Sequence, residues 1–404
     1  MKFAHFADTH LGYRQYGLYE REKDFYEVFE KIIDRIIEEK VDFVIHSGDL
    51  FETSRPSPMA LLTFQKGLLK LKGAGIPMYA IAGNHDLIMR KGSIPPQVIF
   101  KKLGLKVISK INPTYMHGDV LIAGLQYYPA SNDKVLKNKL SDLSKKAADH
   151  DKSILVLHQG IGKYFGYQYE LEISDIPDNF NYYALGHIHK YVNDDFGNGK
   201  LVYPGSTEIW KTKELDDYKK NGKGFVVVDL EGQKPHVKRI KVDISREFIK
   251  KSIDYNKLND EISKIHDLIK DYDKKPIIDL EIRNVDGDTS TIYDAISSEI
   301  GDLALMIRPT FKAKADESID DIIGQNDSLG PKELILENLK DYDNEDVNKL
   351  AIDLYDLLSK DNIEDSEELI TQFYEQHYKT KDSEDAEDEE SSDDVQVTLN
   401  EGLK

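Results

Sequence analysis

Residues 2–10 read Lys2-Phe3-Ala4-His5-Phe6-Ala7-Asp8-Thr9-His10, a short apolar run that ends in a polar triplet. Runs of this kind, rich in β-branched or aromatic side chains and bounded by turn residues, are typical of buried strands. Asp8 and His10 lie two positions apart at the end of the run, so the alternation of a strand directs both side chains to one face. This stretch therefore predicts a strand that brings a carboxylate and an imidazole to one place.

Four more apolar runs in the first half of the chain end in the same way. They span 41–47, 78–82, 153–157 and 182–185 and lead into Gly48-Asp49, Gly83-Asn84-His85-Asp86, His158-Gln159-Gly160 and Gly186-His187-Ile188-His189. One such pair is common in ordinary turns, but five motifs in this order, each at a strand end, are not expected from chance placement. Their oxygen and nitrogen atoms suffice for two divalent metals, with one histidine left for acid chemistry. The set indicates a two-metal phosphoesterase.

Amphipathic helical patterns lie between these strands. In the clearest, from Phe25 to Ile37, apolar residues recur at helical spacing opposite Lys, Glu and Asp, and another pattern spans Met59–Leu71. Strands that alternate with helices over residues 1–235 predict an α/β fold, in which ligands collect beyond the carboxyl ends of strands. By periodicity alone, apolar stripes such as these two are more often core than interface.

The rest of the chain predicts further units. Residues 236–312 indicate a small α/β domain, with strands at 236–242, 277–283 and 303–307 and helices near 256–271 and 291–300. Residues 313–330 predict a linker, 331–378 predict short helices with apolar faces, and 379–404 predict a disordered acidic tail. Because short helices bury little surface alone, those of 331–378 need either a partner or the small domain to pack against.

Composition narrows the class of protein. The chain has 404 residues, 40% of them hydrophobic, and lacks an apolar run of the about 20 residues that cross a bilayer. No secretory pattern precedes the first strand, and the absence of cysteine excludes disulfides, thiolate metal sites and cysteine nucleophiles. A cytoplasmic protein is the simplest interpretation.

The net charge of −20 argues at first against nucleic acid as a partner. Residues 381–404 carry ten Asp and Glu against two Lys, but the remainder of the chain is acidic too. Metal cations in a cleft would reverse the local sign of the charge. Any contact with DNA must therefore depend on a local basic strip.

The chemical types of the candidate ligands restrict which metal ions can bind. Mixed imidazole, carboxylate and carboxamide ligation suits Mn²⁺, Fe²⁺ or Zn²⁺ better than Mg²⁺ or Ca²⁺, and Mn²⁺ is the first choice. Two such ions about 3.5–4 Å apart could clamp the attacking and leaving oxygens of a phosphodiester and lower the pKa of a water. No protein nucleophile would then be needed.

In this order, the five motifs resemble those of the calcineurin-like metallophosphoesterases. Three longer stretches narrow the resemblance: Phe6-Ala7-Asp8-Thr9-His10-Leu11-Gly12-Tyr13, His46-Ser47-Gly48-Asp49-Leu50-Phe51 with Arg55-Pro56, and Ala184-Leu185-Gly186-His187-Ile188-His189-Lys190. They are similar to the nuclease subunit of the DNA double-strand-break repair complex, of the Mre/SbcD type and in its archaeal form. The resemblance is strongest over residues 1–230 and extends to the order of the parts.

This resemblance implies a four-layer α/β/β/α sandwich of two stacked mixed sheets, then a small α/β capping domain and C-terminal helices. The implied activity is that of a Mn²⁺-dependent 3′-to-5′ exonuclease and endonuclease with two ions per subunit. The resemblance assigns one metal to Asp8, His10, Asp49 and His189 and the other to Asp49, Asn84, His158 and His187, with Asp49 bridging. His85 would orient the phosphate or protonate the leaving oxygen.

The resemblance implies partners as well. An ABC-type ATPase with a long coiled coil and a zinc hook would accept the helices of 331–378. A homodimer would form through the helices near 25–37 and 59–71. DNA ends would be the substrate, in the cytoplasm at the nucleoid and away from membranes. The residues expected to contact the DNA backbone are Tyr13, Arg14, Arg55, Arg90 and Lys190.

Glu52 departs from the family pattern. After Gly48-Asp49-Leu50-Phe51, many relatives carry a histidine near the scissile phosphate, and this chain carries Glu52. An ionised carboxylate cannot donate a hydrogen bond to phosphate, and it repels the anion. We therefore do not expect the full double-strand exonuclease efficiency of the family, whereas the predicted metal ligands stay as the resemblance assigns them.

Two other functions use the same features differently. A phosphodiesterase or phosphatase for small nucleotides or phosphoproteins could use the same metals, although the chain length and the additional domains favour the nuclease. A metal-poor scaffold that binds partners is the third hypothesis, and the complete ligand set argues against it. Metal content distinguishes the scaffold from the enzymes, and activity on DNA against a small diester distinguishes the two enzymes.

Overall fold

A computed structural model describes residues 1–87, 94–165, 169–313, 339, 345–358, 369, 370 and 373 of the chain. The chain divides into two compact units, Met1–Lys312 and Ala313–Lys404. The first unit contains two six-stranded sheets, a three-stranded sheet and the helices that cover them. The predicted α/β fold class is confirmed.

The first sheet is mixed. It contains β1 (Lys2–Phe6), β2 (Phe43–His46), β3 (Met78–Ala80), β4 (Lys106–Val107), β11 (Lys223–Asp229) and β12 (His236–Val242). Their order is β12-β11-β1-β2-β3-β4. Strands β1 to β4 pair in parallel, and β11 runs antiparallel to both β1 and β12. The carboxyl ends of β1, β2 and β3 therefore lie at one edge of the sheet.

The second sheet is also mixed. It contains β5 (Thr114–His117), β6 (Val120–Gly124), β7 (Lys152–His158), β8 (Tyr182–Gly186), β9 (Val192–Phe196) and β10 (Gly199–Tyr203). Their order is β5-β6-β7-β8-β10-β9. Strands β6, β7, β8 and β10 pair in parallel, whereas β5 and β9 are antiparallel to their neighbours at the two sheet edges.

The two sheets stack face to face over an aromatic core. The ring of Phe3 in β1 stacks on that of Phe43 in β2, with centroids 4.9 Å apart. Tyr182 of β8, in the other sheet, meets Phe3 edge-on at 5.2 Å. All three side chains are fully buried. Burial of apolar surface of this kind is the main favourable contribution to folding.

Helices cover the outer faces and complete four layers. They are α1 (Tyr19–Glu38), α2 (Pro58–Gly73), α3 (Asp133–Ala147) and α4 (Leu215–Asn221), with short 3₁₀ turns at Gln15–Gly17, Pro96–Leu103, Ala130–Asn132, Ile173–Asp175 and Thr212–Glu214. Helices α1 and α2 pack on the first sheet through residues such as Phe29 and Phe64, and α3 packs on the second through Leu140. The apolar stripe predicted in α1 therefore belongs to the core.

The third sheet forms the small α/β part of the first unit. It contains β13 (Phe248–Asp254), β14 (Ile277–Val285) and β15 (Met306–Ala313), in that order. The helices α5 (Leu258–Ile269) and α6 (Thr289–Ile300), and the 3₁₀ turn Tyr255–Lys257, accompany it. Ile253, Ile262, Ile282 and Ile296 contribute to its own apolar core.

The structure differs from the predicted boundary of this part. Residues 236–242 form β12, which pairs with β11 over seven residues of the first sheet. By strand pairing, the small α/β part thus begins after residue 242. Strand β13 did not emerge from the sequence, because Lys250, Lys251 and Ser252 interrupt its apolar pattern at a sheet edge.

A buried cluster of charges joins this small α/β part to α1. Asp24 of α1 accepts hydrogen bonds from Nη1 of Arg21 and from Nε of Arg246, both at 2.7 Å. Asp24 and Arg21 are fully buried, and Arg246 is 7% exposed. Lys274 adds ion pairs to Asp24, at 3.4 Å, and to Glu27. The cluster compensates charges that would be costly to bury alone.

The second unit has one described helix of some length, α7 (Glu345–Leu358). The linker predicted for 313–330 lies outside the described residues except at Ala313, and the tail predicted for 379–404 lies wholly outside them. Most of the segment 331–378 also lies outside the described residues; α7 lies within it, and the other helices predicted there stay predictions. Among the described residues, none of the helices combines the length and the apolarity needed to span a membrane.

Candidate metal centre

The five polar motifs meet where the parallel strands of the two sheets end. Asp8 and Asp49 follow β1 and β2, and the loops after these strands stay paired, with hydrogen bonds of 3.1 Å from Asp8 N to Gly48 O and from His10 N to Asp49 O. His158 closes β7, and His187 follows β8. The structure thus brings all seven predicted ligands to one edge of the sandwich.

Four of these seven residues have left-handed backbone conformations. The φ angles are 52° for Asp8, 44° for His10, 53° for Asp49 and 91° for His187. Residues other than glycine rarely adopt φ values above zero, and such strain collects at functional sites. The surrounding structure therefore holds these side chains in orientations that the local backbone does not favour.

Three glycines allow the loops of the two sheets to approach closely. A Cβ atom on Gly48 would lie 2.3 Å from Nδ1 of His158, and one on Gly83 would lie 2.1 Å from Oδ1 of Asp49. A Cβ atom on Gly186 would lie 2.2 Å from the carbonyl oxygen of Ser47. Gly48 also has a φ of +101°, which L-residues rarely adopt. The glycine in each of these three motifs thus has a steric role beside its polar neighbour.

Asp8, His10 and His189 form the first group of candidate ligands, whose ligand atoms lie within 4.8 Å of one another. Nε2 of His10 lies 3.1 Å from Nε2 of His189. Each ring points its Nδ1 at a carboxylate oxygen 2.8 Å away, of Glu52 for His10 and of Glu214 for His189. An ionised carboxylate only accepts, so both Nδ1 atoms donate and two Nε2 lone pairs face each other. This arrangement fits a cation between the rings.

Asp49, His158 and His187 form the second group, again within 4.8 Å. Nδ1 of His158 donates to the carbonyl oxygen of Ser47 at 2.8 Å. Its Nε2 faces two oxygens, Oδ2 of Asp49 at 3.2 Å and Oδ1 of Asn84 at 3.1 Å. Although burial alone would lower the pKa of His158, Asp49 raises it to about 9. In the metal-free chain, a proton thus occupies the direction in which a metal would bind.

Asp49 lies between the two groups. Its Oδ2 is 3.2 Å from Nε2 of His158 and 3.8 Å from Nε2 of His10, and its Oδ1 accepts a hydrogen bond from the His85 amide at 2.9 Å. Burial alone would raise the pKa of Asp49, but His158 and His10 hold it well below its usual range. An ionised carboxylate in this position can serve both groups.

His85 lies beside the candidate ligands. Of the two motif histidines that contact Glu52, His10 and His85, it is the more exposed, with 26% of its side chain accessible. Its Nδ1 donates to the carbonyl oxygen of Glu52 at 2.9 Å. Among the described residues, no hydrogen-bond partner faces its Nε2. The ring packs edge-on against His10 and Trp210, with centroids 4.8 and 5.8 Å away. His85 is thus oriented with one nitrogen available.

Asp86 connects the loops after β2 and β3. Its carboxylate accepts from the backbone amides of Leu50, Phe51 and Gly83 at 3.2, 3.0 and 2.9 Å. Burial, with the charge of Asp49, raises the pKa of Asp86 to about 7. The last residue of the Gly83-Asn84-His85-Asp86 motif therefore holds the loops of the site together and belongs to neither group of candidate ligands.

Sequence reasoning missed a set of supporting side chains around the first group. Glu214 accepts from Lys223 Nζ at 2.6 Å and from Ser206 Oγ at 2.9 Å, and Trp210 Nε1 donates to Glu52 at 3.2 Å. Burial alone would raise the pKa of Glu214, but Lys223 and His189 lower it. Glu214, Trp210 and Lys223 lie outside the five motifs, and only tertiary structure brings them to the site.

The residues predicted to contact DNA differ in their exposure and in their contacts. Arg55 and Lys190 are exposed. The ring of Tyr13 packs beside Trp210 at 5.4 Å, and Nε of Arg14 is bound to Glu22. Arg90 lies outside the described residues.

The donor set has a definite chemical capacity. Two groups of nitrogen and oxygen ligands share a carboxylate and lie at the ends of strands, where α/β folds bind ligands. Imidazole with carboxylate and amide oxygen suits divalent transition metals. Two ions held in this way can polarise a phosphate ester and activate a water.

Comparisons with known proteins agree with this chemistry. The family model described as calcineurin-like phosphoesterase matches residues 1–191. The DNA double-strand break repair protein Mre11 of Methanococcus maripaludis is 36% identical over 393 residues, which cover 94% of this chain and 100% of that protein.

Two further relatives have the same name. The Mre11 protein of Methanocaldococcus jannaschii is 42% identical over 269 residues, covering 66% of this chain and 73% of its own. The Mre11 protein of Sulfolobus acidocaldarius is 38% identical over 289 residues, which cover 70% of this chain and 75% of that protein.

Proposed function

Because this chain belongs to the Mre11 family of DNA double-strand break repair proteins, we propose that it degrades DNA ends as a 3′-to-5′ exonuclease and an endonuclease. The chain is a metal-dependent phosphodiesterase of the calcineurin-like type. The single observation that supports the proposal most is the position of Asp49, whose Oδ2 faces Nε2 of both His158 and His10.

The proposal assigns the ligands as follows. One metal binds Asp8, His10, Asp49 and His189, and the other binds Asp49, Asn84, His158 and His187. Two Mn²⁺ ions, with Fe²⁺ or Zn²⁺ as substitutes, would supply Lewis acidity and a water of lowered pKa. The buried carboxylates, and the hydrogen bonds from Nδ1 of His10, His158 and His189, orient the ligand atoms before metal binds.

His85 is the proposed acid of the reaction. Its Nδ1 is fixed by the carbonyl oxygen of Glu52 at 2.9 Å. The remaining nitrogen, Nε2, can contact a phosphate oxygen or donate a proton to the leaving oxygen. Exposed Arg55 and Lys190, with Arg14, are proposed to contact the DNA backbone, because cationic side chains neutralise phosphates. Arg90 shares this proposed role. Tyr13 is proposed to contact the backbone through its hydroxyl, which can hydrogen-bond a phosphate oxygen.

Partners complete the proposal. The name of the relatives supports a role in DNA double-strand break repair, and we assign this chain an ABC-type ATPase partner with a zinc hook, bound through 331–378. A homodimer would form through α1 and α2. The small α/β part from β13 to β15 would act as a capping domain beside DNA. The site of action would be the cytoplasm, at the nucleoid.

The test is Mn²⁺-dependent degradation of end-labelled linear DNA by the full chain. We expect His85→Gln to lose about 10²–10⁴-fold in rate while it retains both metals, because general acid catalysis typically contributes this factor. Asp49→Ala should lose both cleavage and metal, read by elemental analysis. His266→Gln, a substitution on α5 far along the chain, is the matched control and should cleave like the wild type.

Two results would count against the proposal. Metal-loaded wild type that cleaves no DNA, alone or with its ATPase, would reject the nuclease, and activity on a small chromogenic diester would then indicate a small-molecule phosphodiesterase. If His85→Gln lost metal as well as activity, its role as the acid would be rejected.

A further inference from the structure

The two halves of the metal centre differ in the groups behind their histidines. In the first group, His10 and His189 each donate from Nδ1 to a carboxylate oxygen at 2.8 Å, on Glu52 and Glu214. In the second group, His158 donates to a neutral carbonyl oxygen, also at 2.8 Å. The carboxylate nearest to Nε2 of His187 is that of Glu170, at 3.9 Å, which is beyond hydrogen-bonding distance.

This difference has a physical consequence for metal binding. An imidazole that donates its far N–H to a carboxylate is fixed in one tautomer and becomes a more basic ligand through its other nitrogen. The additional negative charge also favours a cation a few ångströms away. A neutral carbonyl acceptor provides orientation but no charge. The two groups therefore offer a divalent metal unequal environments.

We propose that Glu52 and Glu214 are positioning residues that make the Asp8–His10–His189 group the tighter metal site, with Glu52 the stronger contributor. The inference rests on the two-metal site of the proposed function. It also gives Glu52, where many relatives carry histidine, a definite role in this chain. Metal binding is ordered. The group of Asp8, His10 and His189 fills first, and the group of Asp49, Asn84, His158 and His187 fills second.

The ranking of the two carboxylates follows from their other contacts. Oε2 of Glu214 forms an ion pair with buried Lys223 at 2.6 Å, which offsets much of its charge. Oε2 of Glu52 accepts from His10 and, at 3.2 Å, from the neutral indole N–H of Trp210. Its other oxygen, Oε1, lies 3.7 Å from Nδ1 of His85, and among the described residues no lysine or arginine pairs with Glu52 as Lys223 pairs with Glu214. The same contacts direct one oxygen of Glu52 toward His10 and Trp210.

The test is a Mn²⁺ titration of the metal-stripped full chain, followed by calorimetry and by the electron paramagnetic resonance signal of free Mn²⁺. We expect the wild type to bind two ions with clearly unequal affinities. Glu52→Gln keeps the shape and an acceptor oxygen but removes the charge. It should weaken the first binding step by about 10- to 100-fold and leave the second step nearly unchanged, since partners of ligating histidines contribute factors of this size.

Two further variants sharpen the comparison. Glu214→Gln should weaken the first step by a smaller factor than Glu52→Gln. Glu170→Gln is the matched control, because Glu170 is a carboxylate with 9% of its side chain accessible that lies near the second group without a hydrogen bond to a ligand. It should leave the first step as in the wild type. The thermal melting of the metal-free Glu52→Gln and Glu170→Gln variants shows whether the fold is intact.

Trp210→Phe keeps the proposal testable if Glu52→Gln fails to fold. It removes the indole N–H that holds Glu52 but no charge, so it should weaken the first step several-fold. Equal affinities for the two ions in the wild type would overturn the proposal. So would an unchanged first step in Glu52→Gln or, where that variant does not fold, in Trp210→Phe. An equal loss in Glu170→Gln would also overturn it.

The readout separates this inference from the proposed function. Metal binding is measured without DNA, so a wild type that binds two ions in order but cleaves no DNA would reject the nuclease alone. A wild type that cleaves DNA while Glu52→Gln binds Mn²⁺ normally would reject the positioning role alone.

Discussion

Gly48 stands between β2 and Asp49 in a conformation that an L-residue rarely adopts. Its φ is +101°, and an added Cβ would lie 2.3 Å from Nδ1 of His158. We expect Gly48→Ala to reduce the free energy of unfolding by about 1–3 kcal/mol, the usual cost of a strained residue, and to weaken the second metal site. Urea denaturation and Mn²⁺ titration measure the two effects.

Gly73→Ala is the control for this prediction. Gly73 lies in the last turn of α2, and no atom lies within 4 Å of the position of its Cβ. The substitution should be neutral or stabilise by about 0.4–1 kcal/mol, because alanine restricts the unfolded chain. Equal losses in the two variants would show that the cost at Gly48 is not steric.

At the scale of residues, the sequence predicted the candidate metal ligands but not the side chains that hydrogen-bond to those ligands. Asp8, His10, Asp49, Asn84, His158, His187 and His189 meet because each follows a strand and parallel strands end together. Glu214 and Lys223 have no such marker. Their partners lie 25 residues or fewer away, yet only the packed fold shows the contacts.

Helix α1 depends on charges contributed from outside the sandwich. Arg246, between β12 and β13, donates to buried Asp24 at 2.7 Å. We expect Arg246→Met to reduce the free energy of unfolding by about 3 kcal/mol, the lower end of the range for breaking a buried pair, since Arg21 still compensates Asp24. Denaturation, with limited proteolysis of residues 242–248, measures the loss.

An exposed pair provides the comparison for α1. Arg35 lies on the same helix, is 48% exposed, and pairs with Glu38 at 2.8 Å. Arg35→Met should change stability by about 0–1 kcal/mol, the usual range for exposed ion pairs. If Arg246→Met cost no more than this, the buried cluster would not hold the small α/β part against α1.

At the scale of elements, regular spacing of apolar residues predicted α1 and α2 well. Where apolar and charged residues are mixed, as in β13, the pattern did not predict the strand. Phe25, Phe29 and Ile36 recur at helical spacing because one face of α1 covers the sheet. β13 places lysines in an edge strand, so its alternation is too weak to read. β12 looked like the start of a new domain because pairing partners cannot be read from local sequence.

The surface of α2 bears on the assembly of the whole molecule. Met59, Leu62 and Leu69 recur at a spacing that places them on one face of the helix, and each is more than 40% exposed. We expect Leu62→Glu and Leu69→Glu to convert a homodimer into single chains, because charge is disfavoured in an apolar interface. Light scattering after size exclusion measures the mass.

Leu268→Glu is the control for the dimer. Leu268 is 54% exposed on α5, in the small α/β part. This substitution should leave the mass unchanged. A wild type that is a single chain at every concentration, or an equal effect of Leu268→Glu, would reject a dimer through α2.

At the scale of the whole molecule, the order of the motifs predicted the family, and overall charge did not predict the substrate. The net charge of −20 is a sum over the whole chain, whereas the candidate metal centre consists of a few mostly buried groups. The family and the α/β class are confirmed, because the motif order encodes the order of the strands.

The close approach of His10 and His189 also affects how the protein should be stored and handled. These two residues are 179 positions apart in the chain, so an ion bound by both would act as a removable cross-link between the first and second sheets. Since the unfolded chain cannot assemble such a site, free Mn²⁺ at 100 times its dissociation constant would stabilise the fold by about 2.7 kcal/mol. Chelators in a purification buffer would remove this cross-link, and a cell short of the metal would hold a protein more open to proteases.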